Sequence, residues 1–211
     1  MPFKYVCFIS YPHSKSEMMN DFVNELKQAL VDEMATTFDE DVYIDKEGLG
    51  GGDHFNEALA TAICHSLCMI AVYVPKYETH PFCLREYRAM EILEQRRMKL
   101  VKKSKLGNKG MIIPIVLRGV EDLPEDISKR VHYLDFSKYT TASVNIRKNE
   151  EYVSEIRKIA ASMHELYKAL RNIDPCADCE SFSLPEAAEV KPLRHIGELT
   201  ASPYPGSEDA E

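Results

Sequence analysis

The feature that most constrains this chain is an alternation of two apolar periods along its first 171 residues. Short apolar runs of strand length occur at Tyr5–Ser10, Asp41–Asp45, Leu67–Val74, Met111–Leu117 and Val131–Phe136. Between them, apolar residues return at helical spacing. A capping box of Ser14 and Glu17 opens the first such stretch, which continues through Phe22, Val23, Leu26, Ala29, Leu30 and Met34. Phe55, Leu59, Ala62 and Ile63 mark a second, residues 82–97 a third, and a last helix over about 150–171 repeats Val153, Ile156, Ile159, Ala160, Met163, Tyr167 and Leu170. The run LCMIAVYV at residues 67–74 has no polar alternation, as a strand covered on both faces requires. Strands alternating with helices predict an α/β fold of flavodoxin-like type: an open parallel sheet of about five strands with helices on both faces. Ligands of such sheets bind outside the carboxyl ends of the strands, so the segments after each strand are where function is sought.

Charge divides the chain at about residue 172. Of the net −8, the segment 173–211 carries nine acids against two bases, and it holds five of the eleven prolines. Without either apolar period, it reads as an acidic, disordered tail that cannot fold alone, behind a single domain spanning 1–172. No apolar run approaches the ~20 residues that span a bilayer, and Tyr5–Ile9 is too short for a signal segment, which predicts a cytoplasmic protein without a membrane partner. Cys7, Cys64 and Cys68 sit in apolar runs, where a reduced thiol serves as a small hydrophobe. Cys176 and Cys179 form a lone C-x-x-C without the second pair of a zinc site and are read as chemically idle. The seven histidines show no ligand spacing, so no metal is expected. The basic stretch 96–109 is read as a solvated helix end and loop, free to meet the acidic tail. It lacks the interleaved aromatics of a base-stacking surface, so no nucleic acid is expected. Neither a P-loop nor a dinucleotide-binding glycine fingerprint is present.

Three segments after strands carry a resemblance. Tyr5-Val-Cys-Phe-Ile-Ser-Tyr11 resembles the first box of the TIR family, a strand ending in Ser-Tyr. Tyr43-Ile-Asp45, the loop Leu49-Gly-Gly-Gly-Asp53 and the helix through Ala62-Ile63 to Ser66 are similar to its BB loop and the helix after that loop. Tyr77 through Pro81-Phe-Cys-Leu-Arg-Glu86 is similar to the segment in which catalytic TIR domains carry a glutamate. The resemblance runs from about Tyr5 to Phe136. It implies an enzyme, an NAD+ nucleosidase that cleaves the nicotinamide–ribose bond in signalling or defence, with NAD+ as substrate and no cofactor. It also implies self-association through the Gly48–Asp53 loop, and the lack of a fused sensor leaves any protein activator to act in trans.

Glu86 is the catalytic residue this implies. Breaking the bond from ribose to nicotinamide develops oxocarbenium character at the sugar, and a placed carboxylate stabilises it. Nicotinamide departs as a neutral molecule from a pyridinium, so one glutamate suffices where glycosidases use two. The plain alternative makes Glu86 a first-turn glutamate favoured by the helix dipole. Substrate-facing positions fall at Ser10, Tyr11, Asp45, Phe55 and Phe82. Phe82 stands where many members carry tryptophan, and is either a stacking face for the pyridinium or a core aromatic. Asp45 either bounds the pocket or caps the loop. Two other functions use the same architecture: a non-catalytic TIR adaptor that only recruits other TIR domains, and a nucleoside deoxyribosyltransferase-like enzyme.

Overall fold

In the computed structural model, residues 3–13, 15–44, 53–101, 110–130, 133–139, 146–172 and 179–193 are described. Five strands form one sheet: β1 (Tyr5–Ser10), β2 (Asp41–Ile44), β3 (Ser66–Tyr73), β4 (Ile112–Val116) and β5 (Leu134–Asp135). Their order is β2-β1-β3-β4-β5, and every neighbouring pair is parallel. All eight residues of β3 are buried, which explains why its sequence shows no alternation.

Among the described residues five α-helices accompany the sheet: α1 (Glu17–Met34), α2 (Asp53–Cys64), α3 (Pro81–Leu100), α4 (Glu125–Ser128) and α5 (Glu150–Leu170). The chain steps from β1 to β2 in one direction and from β2 past β1 to β3 in the other. Right-handed crossovers therefore set α1 on one face and α2 and α3 on the opposite one. Packing agrees, since α1 contacts α5 and α2 contacts α3. The reversal point lies between β1 and β3, the position at which open α/β sheets leave a crevice at the strands' carboxyl ends. Ser10 closes β1 there, in register with Ala71 of β3.

Several local expectations are corrected. The N-cap of α1 is Ser16, whose hydroxyl accepts from the Met19 amide, rather than Ser14, which lies outside the described residues. Arg97, assigned from sequence to a solvated basic stretch, is buried. Its guanidinium donates to the carbonyls of Ser66, at 2.9 Å, and of Cys64, and lies over the Phe3 ring. It thus satisfies a carbonyl at the C-terminus of α2, where the helix dipole favours a cation, and one at the start of β3. Residues 102–109 of that stretch lie outside the described residues.

The larger correction concerns the tail. Cys64, the last residue of α2, is disulfide-bonded to Cys179, 115 residues later, so neither is a free or idle thiol. Cys7, Cys68 and Cys83 are free and buried. Residues 179–193 form a strap along the α2–α3 side that ends at the turn after β3. Phe182 packs beneath Arg96, Arg85 donates to the Pro185 carbonyl at 2.7 Å, and the Leu193 amide donates to the Glu78 carbonyl at 3.3 Å. Leu184 and Leu193 are buried. Composition judged whether this segment folds by itself, whereas the body supplies a ready-made surface and a covalent anchor for it. The meeting of basic stretch and tail occurs as a cation–ring contact at Arg96. The expected domain end at 172 abuts residues 173–178, which lie outside the described set, as does everything beyond 193.

Candidate active site

Glu86 is 5% exposed and belongs to the second turn of α3, which starts at Pro81. The first turn of that helix contains no acid, so the dipole explanation, which decays within one turn, does not account for it. Its helical neighbours Cys83, Tyr87 and Met90 are all buried, so position 86 lies on the face turned toward the sheet. A carboxylate in such a place needs hydrogen bonds to remain ionised. Ser10 supplies one from the end of β1, donating from Oγ to Glu86 Oε2 at 2.5 Å. Chain segments 76 residues apart thus meet at the reversal point of the sheet.

Tyr77 extends this pair. It lies in the 3-10 turn Pro75–Thr79 just after β3, is fully buried, and brings its hydroxyl to 2.8 Å from Ser10 Oγ. Its ring is flanked by Tyr73 and Tyr87, with centroids 6.5 and 6.4 Å away. Burial pushes its phenol well above the ordinary range, and its neighbours Cys83 and Glu86 act in the same direction. The hydroxyl therefore keeps its proton. Burial likewise raises the Cys83 thiol, and the Glu86 charge adds to the effect. Cys83 is thus a protonated packing group and not a nucleophile. A second buried carboxylate, Glu78, accepts from the Tyr73 hydroxyl at the end of β3.

Aromatic rings border this cluster. Tyr11, next to Ser10, stacks on His13 at 4.5 Å. Phe82 meets the edge of Phe55 from α2 at 6.1 Å, and His80 lies 6.5 Å from Phe82. His80 is held below its ordinary range, first by burial, then by Lys76 and His13.

Of the six residues singled out from sequence, Ser10 and Glu86 are in direct contact, and Tyr11 is next in the chain. Phe55 and Phe82 touch each other and are half-buried, neither wholly core nor wholly open. Asp45 and the glycine loop 48–52 lie outside the described residues. Ser10 was expected to face substrate, but its hydroxyl is directed at Glu86. Sequence reasoning missed Tyr77, His13 and His80 as members of the cluster. Tyr77 opened the third matching segment, yet no spacing rule joins it to a serine 67 residues earlier. Among the described residues no group of three His, Cys, Asp or Glu side chains is arranged to hold a metal ion, and no helix is long and apolar enough to cross a membrane.

Comparison with known proteins adds a family. A family model described as TIR domain matches residues 7–148, which include every described element of the cluster. No curated protein matches the sequence. Among solved structures, the TIR domains of the activated Roq1 resistosome directly recognizing the pathogen effector XopQ align over 79% of this chain and 84% of that one, at 18% identity and a TM-score of 0.38.

Proposed function

The chain belongs to the TIR family, and from that premise we propose that it cleaves the nicotinamide–ribose bond of NAD+. The observation that carries the reading is the Glu86 carboxylate, buried at the carboxyl edge of the sheet and hydrogen-bonded by Ser10. As the C1′–N bond breaks, its electron pair goes to the pyridinium nitrogen and nicotinamide leaves neutral. Positive charge then spreads over C1′ and the ring oxygen of the ribose. Glu86 opposes that charge with a preorganised negative one, in a setting of low dielectric where it acts strongly. Water adding at C1′ and losing a proton gives ADP-ribose, and attack by a nucleophile within the same molecule gives a cyclic isomer. No metal and no general acid enter this scheme.

The surrounding rings suit the leaving group. The half-buried faces of Phe55 and Phe82 fit a flat cationic pyridinium, to which a ring face is attractive. Cys83 is unsuited to a covalent route, because burial keeps its thiol protonated. The test is chromatography of NAD+ incubated with concentrated protein. Release of nicotinamide with ADP-ribose or its cyclic isomer is expected. Intact NAD+ beside self-associating protein would instead identify a non-catalytic TIR adaptor.

A further inference from the structure

We propose that Tyr77 is a positioning residue for Glu86, its hydroxyl fixing the Ser10 hydroxyl so that the serine proton is aimed at the Glu86 carboxylate. The argument is one of proton accounting. Serine has a single hydroxyl proton, and at 2.5 Å from Oε2 that proton is committed to Glu86. The 2.8 Å contact between Ser10 Oγ and the Tyr77 hydroxyl therefore has tyrosine as its donor. Two hydroxyls thus point the same way in series, each polarising the next toward the carboxylate.

The placement of Tyr77 is determined from several sides. Its amide donates to the Val74 carbonyl at 2.8 Å, which closes the turn after β3. Pro75, opening that turn, rests against Gly119, whose φ of 78° is open to glycine and where an added Cβ would lie 3.2 Å from the proline ring. The neighbouring Glu78 carbonyl holds the strap through Leu193. A ring wanted only for packing at this site is equally served by phenylalanine. The hydroxyl is the part that packing does not explain.

Without the tyrosine donor, the serine hydroxyl is less polarised and its oxygen less fixed, so its bond to Glu86 weakens. Loss of the tyrosine hydroxyl is therefore felt in the chemical step and not in substrate affinity. The kinetic consequence rests on Glu86 being the reacting carboxylate, whereas the hydrogen-bond consequence does not.

The test compares Tyr77→Phe, Ser10→Ala and the double variant. By proton NMR the wild-type protein is expected to show a downfield hydroxyl resonance that vanishes in Ser10→Ala and moves upfield in Tyr77→Phe. In NAD+ turnover, Tyr77→Phe is expected to lower kcat roughly tenfold with KM little changed, and the double variant to be no slower than Ser10→Ala alone. Ser10→Thr, which retains the hydroxyl, should keep most of the activity that Ser10→Ala loses. A resonance indifferent to Tyr77→Phe, or none that depends on Ser10, overturns the inference. So does full kcat in a folded Tyr77→Phe variant. If wild-type protein releases no nicotinamide, the functional reading falls, and the resonance still decides the role of Tyr77.

Discussion

At the scale of single residues, the buried cluster joins a charge to the groups that make the charge tolerable. Glu86 was legible because its segment, Phe82-Cys83-Leu84-Arg85-Glu86, matches a known pattern. Its burial was not legible, since a charged residue in the first two turns of a helix reads as solvent-facing, whereas Glu86 shares the buried face of α3 with Cys83, Tyr87 and Met90. Tyr77 and His80 escaped notice because their roles depend on contacts across the fold. His80 makes a residue-scale prediction. Unfolded, it titrates near 6.5, and in the fold burial, Lys76 and His13 depress it. The folded state then binds its proton less readily than the unfolded chain. Its contribution to stability is intact above 6.5 and is lost as pH falls through the depressed value. Urea unfolding at pH 7.5 and 5.5 should show a steeper loss for wild type than for His80→Gln. Equal losses would remove His80 from the account.

At the scale of elements, two devices hold α3, the helix that carries Glu86. Arg130 is the first. It pairs with Glu94 at 2.6 Å and Glu91 at 3.0 Å, and donates to the Tyr87 hydroxyl at 3.2 Å. Glu94 also accepts from the Met111 amide at the start of β4, at 2.5 Å. Removing the cation takes from half-buried Glu94 its ion partner while Glu91 keeps Arg88 at 2.6 Å, so Arg130→Ala should destabilise by about 1–3 kcal/mol, less than breaking a fully buried pair. Thermal denaturation checks the figure, and an unchanged midpoint contradicts it.

The strap is the second device. A bridge closing a long loop typically contributes about 2–4 kcal/mol. Reduction with a dithiol, or Cys179→Ser, should therefore lower Tm by roughly 5–15 °C, and ending the chain at residue 172 should do at least as much. Unchanged melting of the truncated chain would show that the strap adds nothing. The strap illustrates where sequence reasoning stops. Its acidic, proline-rich composition describes a segment that has no core of its own. Nothing local reports that Leu184, Leu193 and Cys179 find a surface on α2, α3 and the turn after β3.

At the scale of the whole molecule, an open parallel sheet of about five strands with helices on both faces was legible, because the alternation of apolar periods together with crossover handedness leaves few topologies. The run read at Val131–Phe136 contains β5, which is only Leu134–Asp135, whereas the small helix α4 has too few residues to produce a period and emerges only in the assembled fold. Assembly is a matter for experiment. If contact of the segment 48–53 with a second copy completes the site, turnover per molecule should rise with protein concentration. Equal specific activity across a hundredfold dilution would leave each molecule self-sufficient.

The central claim is that the buried Glu86 carboxylate stabilises the charge that develops as nicotinamide leaves. It is tested most directly by Glu86→Gln, which keeps the shape and one oxygen able to accept from Ser10 and removes the charge. The measurement is the rate of nicotinamide release from saturating NAD+ by wild type and variant with matched melting curves. The expected result is a loss of a hundredfold or more, on the order of one lost electrostatic partner in a transition state. Comparable rates from the two folded proteins would contradict the account.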